Sequence, residues 1–433
     1  MNSYGGQTKF FQYGHPKTNI RKTWGSIFIF FTLTPWAHWG TNSFDSQPWP
    51  LISGLIYILF AKRMMLLKEM VFVALVVTIT MSIMLLLQWP GDSLAIRAVA
   101  SYLTMVVCLI VSYDYVRNYG PPIRMIYFVN AVWLFIGIAE LLDPSLASTF
   151  SVSRTSEGRG VTSLAPEPTF FAVYLVFSTW LILLSYKYKP TKFAGVVIVA
   201  NVIAIIFLCK SSMGLLFLAI GISAILLYQF LRLRLKIPLF IAVVAIVVGL
   251  YLVPNLENLL GSRMLGMADN IGINGIFTVF KDDESINSRL EHVVFSFDGL
   301  IRNFFLPGGF DTFGDMREVQ LRAYDGFFWT SETTDKIMSF YGSICYEFGV
   351  FGVAIVFIFT KGLLRNRSIL AYLETLTFSL FALAAIPVAF APVYLLIAMF
   401  FCDAQFEDQG NGLRKKVNDP FQPRHQKTLK IAT

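Results

Sequence analysis

Charged residues are scarce in this chain, and their scarcity excludes an ordinary soluble domain. Only 14% of the 433 residues are charged, against roughly a quarter in an average globular domain. Hydrophobic residues account for 55%, and the mean hydropathy is +0.62. Apolar runs of about 20 residues recur, which is the helical length needed to cross roughly 30 Å of hydrocarbon. Because these runs are continuous rather than alternating, they predict an all-α polytopic membrane protein rather than a membrane barrel.

Cysteines are also few, and they show no metal-binding pattern. All four lie in or beside apolar runs without metal-ligand spacing, so we expect four free thiols and no disulfide framework. They are Cys108, Cys209, Cys345 and Cys402. The net charge of +8 comes from short Lys and Arg clusters beside apolar runs. That placement is typical of membrane topology, and it predicts no nucleic-acid partner.

The alternation of apolar runs and basic clusters predicts about twelve transmembrane helices with both chain ends in the cytoplasm. A count of about eleven to thirteen is also compatible, because 369–401 reads either as two spans or as one broken hairpin. No small-residue cleavage site follows the first apolar run, which we therefore interpret as a retained anchor. The predicted segments are a cytoplasmic tail at 1–23, spans 1–9 within 24–254 with an outer loop at 143–168, an extracytoplasmic loop domain at 255–336, spans 10–12 within 337–402, and a cytoplasmic tail at 403–433.

The polar stretch at 255–336 indicates work at the outer face. It is the longest polar segment between apolar runs, and a chain otherwise solvated by lipid needs such a domain only for a task at that face. Every predicted inner turn carries Lys or Arg, and most small outer turns carry none. Basic residues in the outer segments are therefore exceptions, and we look for function among them.

Two arginines and a glutamate precede span 6. Arg154 and Arg159 lie in the outer loop, and Glu167 stands between Pro166 and Pro168 in an extended turn. Arginine presents a planar fork of donors that suits phosphate or pyrophosphate oxygens. The alternative is an interfacial loop whose arginines contact lipid headgroups while Glu167 pairs with one of them.

Lys210 and Ser211 form a short outer turn between spans 7 and 8. The turn is too short to leave the membrane surface, so we expect it to line the same face as Arg159. A lysine that extends to the interface is the simpler alternative.

The long loop carries a helical stretch with several ionisable side chains. Asn287 or Ser288 is a plausible helix N-cap. Arg289 and His292 are then three residues apart on one helix face. Glu291 lies beside them, and the stretch ends near Arg302.

A glycine-rich turn follows, and an acidic residue lies in the next span. Gly308 and Gly309 lack the pattern of a nucleotide-binding loop, and they suit a tight turn that brings backbone close to a sugar or phosphate. Glu347 is an ionisable group near the outer edge of span 10, followed by glycines that permit close helix packing.

Taken in order over 153–352, these features resemble those of the Wzy-type O-antigen and exopolysaccharide polymerases. With the O-antigen ligases, those enzymes form one superfamily of lipid-dependent glycosyltransferases. The motifs that carry the resemblance are Arg154 and Arg159 with Ala165-Pro166-Glu167-Pro168, then Lys210-Ser211-Ser212-Met213-Gly214, then Ser288-Arg289 with Pro307-Gly308-Gly309, then Glu347-Phe348-Gly349-Val350-Phe351-Gly352.

The resemblance implies that the protein joins oligosaccharides carried on undecaprenyl pyrophosphate at the outer face of the bacterial inner membrane. It implies no metal, no cofactor and no nucleotide sugar. The expected partners are the lipid-linked oligosaccharide, the bilayer and a chain-length regulator or export complex.

Departure of a lipid pyrophosphate needs cations where negative charge accumulates, and a sugar hydroxyl needs a proton acceptor. The candidate catalytic residues are Arg159, Glu167, Arg289, Glu291 and His292, and the candidate substrate-binding residues are Arg154, Lys210, Ser211, Arg302, Gly308, Gly309 and Glu347.

Three alternatives stay open. A ligase of the same superfamily typically places a functional histidine late in the long loop, and this loop has none between His292 and span 10. The turn after span 7 also departs from the family pattern, because Lys210 precedes its serines. A lipid flippase or other transporter should carry charge along a central cavity, whereas here the charge gathers at one rim. A scaffold of an export complex would tolerate loss of the outer arginines.

Overall fold

Every secondary-structure element in the described part of the chain is a helix. The computed structural model describes residues 19–38, 47–87, 93–146, 150, 160–233, 280–281, 283–324, 326–329, 336–364, 368–384 and 386–403. Predicted span 9, the first part of the loop domain, and the candidates Arg154 and Arg159 lie outside these residues.

The helices follow the predicted apolar runs closely. In chain order they are α1 Asn19–Leu33, α2 Trp49–Leu59, α3 Lys68–Leu87, α4 Ser93–Tyr119, α5 Ile123–Leu142, α6 Pro168–Tyr188, α7 Ala194–Ile203, α8 Ser212–Leu233, α9 Glu284–Arg302, α10 Phe313–Ala323, α11 Phe340–Phe348, α12 Val350–Leu363, α13 Ile369–Leu383 and α14 Pro392–Asp403. Helix α7 continues directly into a π-helix at Ala204–Cys209.

Among the described residues, five helices are long and apolar enough to cross a membrane. They are Lys68–Leu86, Ile96–Tyr119, Ile123–Leu142, Pro168–Tyr188 and Ser212–Leu231. Five shorter apolar helices accompany them: Trp49–Leu59, Ala194–Cys209, Val350–Leu363, Ile369–Leu383 and Pro392–Asp403. The predicted helical class, with helices able to span a membrane, is confirmed at this level. The count of about twelve spans stays a prediction.

The first helix begins inside the predicted cytoplasmic tail. Helix α1 starts at Asn19, and Arg21 reaches Asp114 of α4 in a buried ion pair. Tyr57 of α2 also donates to Asp114, at 2.5 Å, and Asn118 donates to the other carboxylate oxygen at 2.8 Å. This cluster ties α1, α2 and α4 together, so residues from 19 onward belong to the helix bundle.

Helix α6 lies at the centre of the bundle and orients the site. Its aromatic face is fully buried, with Phe171, Tyr174 and Phe177 all at 0% exposure. Trp133 of α5 stacks on Tyr174, with the ring centroids 4.1 Å apart, and offset-stacked rings add to the gain from burial. The beginning of α6, at Pro168, is thereby held firmly against α5.

Predicted span 10 is two helices rather than one. Helix α11 ends at Phe348 and α12 begins at Val350, with Gly349 between them at φ +60°. A Cβ atom at Gly349 would collide with the backbone of 305–307. The chain breaks here because loop backbone packs against the junction, where only glycine leaves enough room.

The described part of the loop region has a small core of its own. Phe295 of α9, Phe313 of α10, Phe328, and the residues Ile337 and Tyr346 pack together. The core joins the loop region to α11, so α9 and α10 are held against the membrane helices. The four cysteines are free and buried, which confirms the prediction of free thiols.

Candidate functional site

The loop that leads to Glu167 is fixed by a buried carboxylate. Glu140, near the end of α5, accepts hydrogen bonds from the backbone N–H groups of Thr162, at 2.9 Å, and Ser163, at 2.7 Å. The Ser163 hydroxyl donates to the Trp133 carbonyl at 2.7 Å. Hydrogen bonds to a charged acceptor are stronger than neutral ones, so this loop is rigid where it enters α6.

The same loop lies against the turn that carries Lys210. The Val161 N–H donates to the carbonyl of Leu208 at 2.9 Å. A Cβ atom at Gly160 would collide with the backbone of Leu208 and Cys209. Residues 160 and 161 therefore pack beside the turn, whereas the expectation that the turn lines the same face as Arg159 falls outside the described residues.

Glu167, at the beginning of α6, lies next to Arg289 of α9. It is the N-cap residue of α6, in extended backbone, and its carboxylate makes no capping hydrogen bond. The Arg289 Nη2 atom lies 3.9 Å from the Glu167 Oε2 atom, with the two side chains 11% and 24% exposed. Residues 122 positions apart in the sequence thus form an ion pair. The distance between the two charged atoms is longer than a hydrogen bond, so the two side chains can separate.

Two helix beginnings meet beside this ion pair. Ser211, directly before α8, is buried, and its hydroxyl lies 3.2 Å from that of Thr169 in the first turn of α6. Lys210 is exposed, in left-handed backbone at φ +45°. Helix N-termini carry partial positive charge and unsatisfied N–H groups, so their meeting favours an anion.

Glu291 forms a buried ion pair with Arg317, which was not among the candidate residues. Its carboxylate receives two hydrogen bonds from Arg317 of α10, one of them at 3.3 Å from Nη2. The side chains are 1% and 6% exposed. Burial raises the pKa of Glu291, although Arg317 opposes the rise. This pair is closed, and its place inside the fold indicates that it joins α9 to α10.

His292 is buried and neutral. Its ring stacks on Phe313 with centroids 5.3 Å apart, and its Nδ1 atom lies 3.4 Å from the Met338 N–H. Burial, together with the charges of Arg317 and Arg289, lowers its pKa to about 3. A base this weak is poorly matched to proton transfer near neutral pH. Because its ring is buried against Phe313, His292 is also closed off from a substrate at the surface.

Helix α9 begins earlier than the sequence indicated. The predicted N-caps, Asn287 and Ser288, were wrong, because Asp283 caps the helix by accepting the Ile286 N–H at 2.9 Å. The Asn287 side chain instead donates to the carbonyl of Phe327 at 3.0 Å and accepts the Trp329 N–H at 2.9 Å. It fastens the following loop to α9.

Arg302 lies at the other end of α9. It pairs with Asp298 one turn earlier, at 2.7 Å, and half of its side chain is exposed. Thirteen residues separate it from Arg289, which corresponds to about 20 Å along a helix. The structure does not bring Arg302 to the Glu167 pair.

Gly308, Gly309 and Glu347 gather around Tyr346. The Gly308 N–H donates to the Tyr346 carbonyl at 2.8 Å, and a Cβ atom on Gly308 would lie 2.7 Å from the Tyr346 ring. Gly309 takes φ +91°. Glu347 accepts a hydrogen bond from Tyr102 of α4. The close approach that Gly308 permits is therefore to Tyr346, and Glu347 is joined to α4.

Sequence reasoning missed Glu140, Thr169 and Arg317. Arg317 is one of several arginines in a polar stretch, and no pattern separates it from Arg302. Glu140 lies within the apolar run of predicted span 5, where nothing in the sequence indicates that it binds the loop at 162–163. In the described residues, no group of three or more His, Cys, Asp or Glu side chains is arranged to hold a metal ion.

The loop before α6, the Lys210 turn and α9 thus meet at one place, and Glu167, Thr169, Ser211 and Arg289 are the residues that join them. Together with the exposed Lys210, these residues supply one arginine, one lysine, two hydroxyls and one carboxylate, which suits an anionic ligand that also carries hydroxyl groups. No protein-family model matches the sequence, and no curated protein matches it either.

Proposed function

We propose that this protein is a polymerase of polysaccharide repeat units. It joins oligosaccharides carried on undecaprenyl pyrophosphate at the outer face of a bacterial inner membrane, within O-antigen or exopolysaccharide synthesis. The observation that carries the proposal is the Arg289–Glu167 ion pair at 3.9 Å. It joins the first and third of the motifs that resemble the polymerases, and the Ser211–Thr169 contact at 3.2 Å adds the second.

Arg289 and its surroundings suit the leaving group. In the proposed reaction the bond between the donor sugar's anomeric carbon and a phosphate oxygen breaks, and its electron pair leaves with the lipid pyrophosphate. Arg289 offers a planar fork of donors for the phosphate oxygens. Lys210 is exposed nearby in the same surface, and the first turns of α6 and α8 add positive potential. Fixed positive groups at the point where charge accumulates are usually the largest catalytic term.

Glu167 suits the attacking hydroxyl. In the absence of substrate its carboxylate is held loosely by Arg289. When phosphate oxygens take over the guanidinium, the carboxylate becomes available to accept the hydroxyl proton as the new bond to the anomeric carbon forms. Separation of the Arg289–Glu167 pair would therefore free the guanidinium for phosphate and the carboxylate for the attacking hydroxyl.

The remaining candidates take supporting roles in this proposal. Arg154 and Arg159 precede the loop at 160–167 and are assigned to the sugar or phosphate groups of the substrate. Glu291 and His292 support α9 through Arg317 and Phe313. Arg302, Gly308, Gly309 and Glu347 lie away from the Arg289 pair or around Tyr346, and we give them no direct part in bond making. The bilayer presents the lipid-linked substrates, and a chain-length regulator or export complex is the expected protein partner.

The test uses purified protein in liposomes with undecaprenyl-pyrophosphate-linked repeat units. A gel that shows a ladder of increasing glycan length supports the proposal, provided that Arg289→Ala abolishes the ladder and Arg302→Ala keeps it. No ladder from folded protein supplied with the right donor contradicts it. Product that appears only after a lipid acceptor is added would favour the ligase alternative, and movement of the donor across the bilayer without new bonds would favour a flippase.

A further inference from the structure

Helix α9 ends in a turn that normally requires glycine. The Phe305 N–H donates to the Leu300 carbonyl at 2.9 Å, and the Phe304 N–H donates to the Ile301 carbonyl at 3.0 Å. These two bonds form a Schellman motif, in which the residue after the C-cap adopts left-handed backbone. Phe304 occupies that position at φ +54°, and Phe305 follows at φ +62°. A side chain is disfavoured there because its Cβ atom crowds the following carbonyl.

The phenylalanine gains no compensating burial from its own chain. Phe304 is 86% exposed, and Ile301, Phe305 and Leu306 are exposed beside it. We call these four residues the apolar tip. A strained backbone conformation persists where a function requires it, and four adjacent exposed apolar side chains mark an interaction surface.

The apolar tip is fastened to the beginning of an apolar helix. The Val350 N–H donates to the Phe305 carbonyl at 2.8 Å, and Gly349 lies against the backbone of 305–307. Helix α12 exposes Phe351 and Phe357 along its length, which is what a lipid-facing helix does. It also packs against α3, which is long and apolar enough to span the membrane.

We infer that the apolar tip is a membrane anchor that inserts into the acyl chains of the leaflet next to the loop region. Its exposed surface continues that of α12, so the tip lies at the depth where α12 enters the hydrocarbon. Arg302, half exposed and next to Asn303 at the end of α9, lies close enough in the chain for its guanidinium to meet lipid phosphates.

The anchor fixes the end of α9 that lies opposite the candidate site. The helix has 19 residues and so is about 28 Å long. Near its beginning, Asn287 and the Glu291–Arg317 pair hold it to protein. At its end, lipid holds it through the apolar tip. Arg289 is thereby kept at a set position above the membrane helices.

Spin labels at single introduced cysteines test this inference. All four native cysteines are buried, so a label goes selectively to an exposed new site. Three variants are compared in vesicles of phosphatidylethanolamine and phosphatidylglycerol: Phe304→Cys, Val319→Cys on α10 as the aqueous control, and Phe357→Cys on α12 as the lipid control. Positions 319 and 357 are 63% and 66% exposed, so differences report the medium rather than the burial.

We expect oxygen to relax the label at 304 as strongly as the label at 357, and a water-soluble nickel chelate to relax it several-fold less than the label at 319. A label at 304 that behaves like the one at 319 would overturn the inference. Spin–spin broadening at 304 that disappears on dilution with unlabelled protein would also overturn it, because a second copy would then cover the tip.

A second variant separates anchoring from folding. Phe304→Gly places the favoured residue in the left-handed position, so we expect unchanged or higher thermal stability in detergent. In vesicles, a label at Ile301→Cys should lose at least half of its oxygen relaxation when Phe304→Gly is added. An unchanged label at 301 would show that Phe304 does not hold the tip in the bilayer.

Discussion

Two arginine–glutamate pairs in this molecule differ in depth and in closeness. Arg317 and Glu291 are 6% and 1% exposed and share two hydrogen bonds. Arg289 and Glu167 are 11% and 24% exposed, and their closest charged atoms are 3.9 Å apart. Both arginines belong to the same polar loop region, and both contribute to the low pKa of His292.

The difference separates a pair that joins two helices from the pair that we propose meets the substrate. Removing one partner of a buried pair leaves an uncompensated charge, so such a pair stays closed. A pair with a longer charge-to-charge distance and more access to solvent contributes less to stability than a closed, buried one. Arg317 and Glu291 therefore hold α9 to α10, whereas Arg289 and Glu167 are poised to separate.

The largest effect should come from breaking the buried pair. We expect Arg317→Ala to destabilise the protein by about 3–5 kcal/mol, because Glu291 is left buried without its counter-charge. Thermal unfolding of the purified protein in detergent measures the loss. The double variant Arg317→Met with Glu291→Gln should recover most of it. A single variant as stable as the wild type would show that the pair does not hold the two helices.

Breaking the Arg289–Glu167 pair should affect activity more than stability. We expect Arg289→Ala to reduce chain growth at least about 100-fold, which corresponds to about 2.7 kcal/mol of lost transition-state stabilisation. The measurement is polymer formed per unit time in the liposome assay. Arg289→Lys keeps the charge but loses the planar fork of donors, so its rate of chain growth should lie between those of the wild type and Arg289→Ala.

Glu167→Gln tests the other partner of the same pair. It removes the proton acceptor and preserves the shape of the side chain, so it should also lower chain growth while the fold is maintained. Normal polymer length from both variants would remove the pair from the active site, even if the protein proved to be a polymerase.

Lowering the pH should weaken the fold through His292, beside the buried pair. Above pH 6.5 the folded and unfolded states both hold the ring neutral, and the residue contributes nothing to the pH dependence. Between pH 6.5 and the folded pKa of about 3, only the unfolded state takes up the proton. The expected loss is about 2 kcal/mol at pH 5.

The raised pKa of Glu291 acts in the opposite direction, because the folded state then binds its proton more readily than the unfolded state does. The contribution of His292 is therefore isolated by comparing the wild type with His292→Gln over pH 5–8. The variant should show a flatter profile between pH 6.5 and 5. Identical slopes would mean that His292 is protonated in the folded protein.

The smallest effect should come from a third pair, Arg302 with Asp298. It is exposed and lies within one helix, so Arg302→Ala should cost about 0.5 kcal/mol or less and leave chain growth intact. The same thermal and polymer assays measure both quantities. A loss of activity as large as that of Arg289→Ala would place Arg302 in the reaction and contradict the division drawn from the geometry.

Several features of the site were predictable because they depend on local chemistry. The apolar runs gave the helices α3 to α6 and α8, and the polar stretch gave the helix that carries Arg289. The prolines on either side of Glu167 indicated an extended residue before a helix. The helix break at Gly349 was harder to predict, because glycines within a span are also typical of close helix packing. The break arises because the backbone of 305–307 packs against this position.

Composition and order along the chain determined the helical class, the free thiols and the choice of Glu167 and Arg289 as candidates. Only the tertiary structure decided that these two side chains form an ion pair, that Arg317 closes on Glu291, and that Arg302 stands at the far end of its helix. The physical reason is that apolar periodicity and charge placement act within one segment. Pairing across 122 residues depends on how α6, α8 and α9 pack, and no local pattern encodes that packing.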